Sequence, residues 1–229
     1  MRAYDFYRYS ASWDFFLDRT PLLIVLIWPV VVDSAGLLAR RILGDLDRRV
    51  PLLGAAFVLA DASLIEPIAV RAGLWTWTCD GIFGVPPIGI MGWSFFAVAA
   101  IAVFVANDRA RRSPAADLAI FLMAPLATHA LLLASWYGAL RWARGTIAPW
   151  PAVAIAWGVL FSLAVFAWQR GLRRRIPASD LLVRMPGAAF FFVLLAVYGR
   201  DFAPLVVYAL AFAPPYLALM KLDVRNARP

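Results

Sequence analysis

Residues 61–93, DASLIEPIAVRAGLWTWTCDGIFGVPPIGIMGW, place the chain's only glutamate, Glu66, inside a run of side chains that otherwise suits lipid. Ionisable groups within membrane spans are costly and usually face a bundle interior, so Glu66 and its neighbour Asp61 are the first candidates for a functional site. The stretch ends one apolar run, crosses a connection rich in Trp, Gly and Pro, and begins another apolar run. That alternation continues in both directions along the chain.

The 229 residues are 63% hydrophobic and 16% charged, with mean hydropathy +0.76, well beyond what the core of a soluble domain of this size requires. Apolar segments at 21–39, 50–70, 89–106, 117–140, 148–168, 182–198 and 202–219 each approach the ~20 residues that a helix needs to cross a bilayer. The expected fold is all-α, a polytopic membrane protein with a bundle of about seven transmembrane helices. With no internal repeat and no long linker, residues 1–229 read as a single transmembrane helical domain.

Residues 1–20 mix Arg, Asp and aromatics and lack the pattern of a cleavable signal, which fits an interfacial N-terminal segment with Tyr4, Tyr7, Tyr9 and Trp13 at headgroup level. Residues 71–88 form a long outer loop, expected to fold back over the bundle as a lid. Of the 22 cations, 14 fall in the gaps and tail on one side of the bundle and 7 on the other. By the positive-inside rule the N-terminus is outside and the C-terminus cytoplasmic. Arginines in such gaps orient a membrane protein and imply no nucleic acid partner. The expected location is a bacterial or archaeal cytoplasmic membrane.

One cysteine, Cys79, leaves no intramolecular disulfide, and one histidine, His129, leaves no His-rich di-iron cluster. No metal site and no cofactor are expected. Neither a phosphate-binding loop nor a G-x-S-x-G elbow is present. A retinal Schiff base would need a lysine within the last helix, and the single lysine, Lys221, falls at that helix's end.

Burial disfavours a charged carboxylate, so Glu66 is expected to hold a proton at neutral pH and act as a general acid; the bland alternative pairs it with Arg71 or a neighbouring helix. Asp61 lies five residues earlier, about 140° around a regular helix and ~7.5 Å along its axis, so one carboxyl is expected to face a cavity and the other to bond a neighbouring helix. Asp33 is a proton relay or structural glue, and His129 a proton-handling group or a satisfied core residue. Trp75, Trp77 and Trp93 either line an outer cavity, where their faces stabilise a carbocation, or belong to the interfacial aromatic belt.

Asp61, Glu66-Pro67, Gly73, Trp75, Trp77, Gly84-Val85-Pro86 and Gly92-Trp93, in that order and spacing, resemble the CruF-type carotenoid hydratase family, the bisanhydrobacterioruberin hydratase-like membrane proteins of carotenoid biosynthesis. The resemblance covers residues 61–93. It departs at Gly89-Ile90, where the family pattern leads one to expect Asn-Phe, so a polar side chain is missing there. The polytopic lycopene cyclases look like more distant relatives.

The resemblance implies acid-catalysed hydration of a terminal double bond of an acyclic carotenoid end group, without a redox cofactor. Glu66 would protonate the alkene, Asp61 would serve as its relay or partner, and Trp75, Trp77 and Trp93 would contact substrate; Asp33 and His129, outside the resemblance, are further candidates for substrate contact as the other polar groups at depth. The substrate would be a carotenoid or other long isoprenoid lipid entering from among the membrane lipids. Two alternatives stand beside hydration: a membrane isoprenoid cyclase of the lycopene type, and a protein that binds or transports a lipid without transforming it.

Overall fold

The computed structural model describes residues 6–45, 47–109, 114–170 and 176–225. Its long elements are α-helices: α1 (Leu22–Leu43), α2 (Val50–Arg71), α3 (Pro87–Arg109), α4 (Pro114–Gly138) and α5 (Pro149–Arg170). A short α6 (Ala178–Leu182) leads into α7 (Met185–Leu194), which runs into a π-turn at Leu195–Gly199, and α8 (Ala203–Leu210) and α9 (Ala213–Arg225) follow. Among the described residues four helical runs are long and apolar enough to cross a membrane, Leu22–Leu43, Val50–Arg71, Pro87–Asp108 and Ser179–Gly199. Pro149–Val165 and Ala203–Leu219 are shorter apolar runs. The architecture is all-α and membrane-like.

The two C-terminal apolar segments are broken rather than continuous. Pro186 sits in the first turn of α7 and Pro204 in the first turn of α8. Pro214 and Pro215 open α9. Proline supplies no N–H and is tolerated in the first turn, so each one marks a restart. The break before α7 places Arg184 where its side chain reaches inward.

α2 is the central element, packed against α1, α3, α7, α8 and the π-turn. Its approach to α1 and α3 is set by small residues: a Cβ built on Gly54 would lie 2.5 Å from Ile101 Cδ1 and 3.5 Å from Gly36 Cα. Small residues at membrane-helix interfaces let backbones approach where larger side chains hold them apart. One apolar cluster fills this α1–α3 region, and a second joins Ile68 of α2 to Leu195, Leu205 and Tyr208.

The α2–α3 connection contains strand β4 (Trp75–Trp77), which pairs antiparallel with β1 (Tyr7–Tyr9). Tyr7 stands opposite Trp77 and Tyr9 opposite Trp75. A two-residue pair, β2 (Phe16–Leu17) and β3 (Thr20–Pro21), leads into α1. The connection turns at Phe83 and Gly84, both with positive φ, of 52° and 81°. The N-terminal strand thus ties the outer loop down across the end of α2.

Candidate functional site

Glu66 lies in the last turns of α2 with only 2% of its surface exposed, beneath the β1–β4 pair. Three indoles converge on it. Trp75 Nε1 donates to Oε2 at 2.8 Å, Trp77 Nε1 donates to the same oxygen at 3.1 Å, and Trp93 Nε1 donates to Oε1 at 2.7 Å. An indole N–H is a donor only, so both carboxyl oxygens act as acceptors. Trp28 of α1 stacks on Trp93 with centroids 3.6 Å apart and planes 6° apart, while Tyr7 and Tyr9 lean on Trp77 and Trp75 at 4.8 and 5.7 Å. Burial pushes both phenols up from their ordinary value, and the Glu66 carboxylate adds to it.

The alternation of side chains along β4 explains why the sequence spaces two tryptophans by two. Trp75 and Trp77 fall on the same face of the strand and reach one carboxyl together. Gly89 completes the arrangement, because a Cβ there would lie 2.5 Å from Trp77 Cζ2. The departure Gly89-Ile90 therefore leaves the space in which the Trp77 ring lies. Arg71, the alternative partner for Glu66, instead donates from Nε to the carbonyl of Tyr198 at 3.1 Å, in the π-turn.

Asp61 belongs to a separate cluster. Its Oδ1 accepts from the Tyr216 hydroxyl at 2.8 Å, and its Oδ2 accepts from Arg184 Nη2. Arg184 also donates from Nη1 to Ser34 Oγ at 2.7 Å and from Nη2 to the Tyr216 hydroxyl at 3.2 Å. The side chains of Arg184 and Asp61 are 11% and 15% exposed. Four elements meet here: α1 through Ser34, α2 through Asp61, the α6–α7 junction through Arg184 and α9 through Tyr216.

This cluster forms part of the wall of a cavity of about 710 Å³, within the roughly 300–1,000 Å³ typical of small-molecule sites. Trp13, Trp28 and Trp75 line one part of it, and Ile176 and Leu181 another. Leu23, Ile27 and Val30 of α1 and Met185 and Phe190 of α7 line it while also belonging to the outer surface of the bundle, so the cavity opens sideways toward lipid.

Both carboxyls bond to neighbouring elements, Glu66 to β4 and α3 and Asp61 to the α6–α7 junction and α9. Asp61 meets the cavity, and Glu66 does not line it. Of the expected tryptophans, Trp75 lines the cavity; Trp77 and Trp93 hold Glu66 without lining it. Asp33 and His129 lie on the exposed faces of α1 and α4, outside the cavity lining. Ser34, next to Asp33, takes the inward position. Among the described residues no three His, Cys, Asp or Glu side chains come together as a metal site would need. Sequence reasoning gave Trp13 an interfacial place without linking it to the site, and missed Trp28, Ser34, Arg184 and Tyr216.

A family model described as carotenoid biosynthesis protein matches residues 3–163. The matched stretch takes in Ser34, Asp61, Glu66, Trp75, Trp77 and Trp93, and ends before Arg184 and Tyr216. No curated protein and no solved structure matches the chain.

Proposed function

The chain belongs to the carotenoid biosynthesis protein family, and from that premise we propose that it adds water across the terminal double bond of an acyclic carotenoid end group held in the cavity between α1, α2, α7 and α9. The observation that carries this reading is Asp61 on the wall of an apolar, laterally open cavity. A polyene reaches such a site from the bilayer without crossing water, and the site presents it with a carboxyl group.

In this reading Asp61 takes up a proton before the alkene reacts, delivers it to the alkene and recovers one from the attacking water, while the Arg184 guanidinium and the Tyr216 hydroxyl hold the carboxylate left between the two events. The tertiary cation formed sits among the faces of Trp28 and Trp75, whose ring quadrupoles attract positive charge. Glu66 is a positioning residue. By fixing the indole N–H groups of Trp75 and Trp93 it fixes Trp75 directly, and Trp28 through its stack on Trp93. With positive charge in the gaps oriented as the sequence suggests, the tryptophan end of the cavity faces outward.

Co-expression with an acyclic carotenoid pathway tests the function through product mass. Hydration adds the mass of one water. An unchanged mass with a shifted absorption spectrum would replace hydration by ring closure, a reading favoured by the aromatic lining and by Gly89 standing where a polar side chain is expected. Carotenoid recovered unaltered from the purified protein, without turnover, would reduce the function to binding.

A further inference from the structure

We propose that Ser34, Arg184 and Tyr216, together with Asp61, form a binding site for one neutral hydroxyl oxygen, the water that becomes the product's alcohol; this rests on the hydratase reading above. A hydrocarbon end group offers nothing for a hydrogen-bonding cluster to bind. Yet among the cavity-lining residues the non-aromatic polar ones, Ser34, Asp61 and Arg184, are joined to one another and to Tyr216 rather than scattered along the wall. Taking a guanidinium and a carboxylate out of water costs several kcal/mol per ion, which their pairing offsets with little net gain over well-packed apolar residues. Apolar residues at these positions would close the bundle without that cost, so the cluster answers to the polar reactant.

Charge and hydrogen-bonding capacity define the ligand. With Asp61 ionised, Arg184 and Asp61 neutralise each other, so the resting cluster has no net field to favour an anion such as a diphosphate. A carboxylate accepts at up to about four lone-pair sites and a guanidinium donates through five N–H groups, so the bonds within the cluster leave both an acceptor and a donor for a guest. Water is the small molecule that both donates and accepts. Four different elements supply the cluster, so its geometry is set by the packed bundle and not by one flexible loop.

The chemistry balances with water held there. Asp61, having taken up a proton, gives it to the less substituted carbon of the alkene: its O–H bond breaks and the alkene π pair becomes the new C–H bond. A lone pair of the bound water then bonds to the electron-poor tertiary carbon, and the surplus proton on that oxygen passes to Asp61. Alkene and water become a tertiary alcohol, with the proton returned. Without the bound water, the cation loses a neighbouring proton or is captured by an internal alkene. The cluster thus decides between hydration and its alternatives, a task for which residue 89 carries no polar group.

Tyr216→Phe and Ser34→Ala, expressed beside the native protein in a host making acyclic carotenoids, test the site. Incorporation of labelled oxygen from heavy water (H2-18O) is measured together with the ratio of hydrated to unhydrated converted products. The expected result is label in the native product and a ratio that falls roughly three- to tenfold in each variant, as loss of one hydrogen bond to the water predicts. Substrate consumption should fall less than the ratio does. A hydrated-to-unhydrated ratio equal to the native value in both variants overturns the proposal, because a cluster that merely braces the helices would lower all products together. If the native protein itself yields no hydrated product, the hydratase reading fails first, and that outcome is visible before any variant is compared.

Discussion

Glu66 and Asp61 sit five residues apart on the same helix and have opposite surroundings. Glu66 is enclosed by three tryptophans on β4 and α3, each donating to it. Asp61 is held by groups from the α6–α7 junction and α9, beside open volume. A carboxyl group that accepts from three indoles and is screened by rings is suited to fixing its neighbours. One that borders a cavity is suited to exchanging a proton with what enters. The difference teaches that burial of an acid within a membrane span marks a site without saying which acid does the chemistry.

The largest effect should come from Asp61→Asn. Product formation is expected to drop roughly a hundredfold or more, the range of a lost acid–base group. Leaving Arg184 buried without its partner also costs about 3–5 kcal/mol. The double variant Asp61→Asn, Arg184→Gln separates the two: thermal stability should recover in part and product should not. A double variant with restored product would return Asp61 to a structural role.

Gly187→Trp tests the cavity itself. Gly187 lines it at the exposed mouth, and a Cβ built there meets nothing within 4 Å, so an indole is accommodated there without pressing on packed chain. Displacing the polyene from Asp61 should lower turnover roughly tenfold to a hundredfold with little loss of stability. Native turnover in this variant would mean that the substrate binds elsewhere.

Glu66→Gln should act mainly on stability. An amide turns one acceptor oxygen into an N–H donor facing an indole N–H, at a cost of about 1–3 kcal/mol. Tryptophan fluorescence should change, and product should fall only severalfold. Complete loss of product with unchanged stability would exchange the roles of the two acids and restore Glu66 as the proton donor. Gly89→Ala probes the same box more gently. The new Cβ presses on the Trp77 ring and loosens the longest of the three bonds to Glu66, with an overpacking cost of about 1–3 kcal/mol.

Much of this arrangement was legible because the bilayer imposes strong rules on composition. Apolar run lengths marked the helices, and a glutamate among them marked the site. The i, i+2 spacing of Trp75 and Trp77 signalled a shared face, but it could not disclose that the face turns toward Glu66, which depends on a β1 partner about 68 residues away. Arg184 carried a signal that went unread. It is the one cation left inside an apolar segment when the charged gaps are counted, and an arginine there needs a partner as much as an acid does. Pairing it with Asp61 was available in principle; choosing Asp61 over Asp33 was not, since both lie at mid-span and only the rotation of α1 turns Ser34 inward and Asp33 out.

The smallest predicted effect concerns the strap over Glu66. Tyr7 and Tyr9 are phenols whose burial pushes their titration up from 10.0, so the folded chain keeps protons that an unfolded chain would release. Their contribution to stability is fully present below pH 10 and declines as pH rises through the ordinary phenol range toward the raised folded values. Stability followed by tryptophan fluorescence should therefore fall above about pH 10, and Tyr7→Phe should make that fall shallower. Because β1 touches the Glu66 box and not the Asp61 cluster, Trp75 and Trp77 should report the change before Tyr216 does. Simultaneous loss of both signals would show that the two regions open as one, and the division of labour between the two acids would then have no separate structural basis.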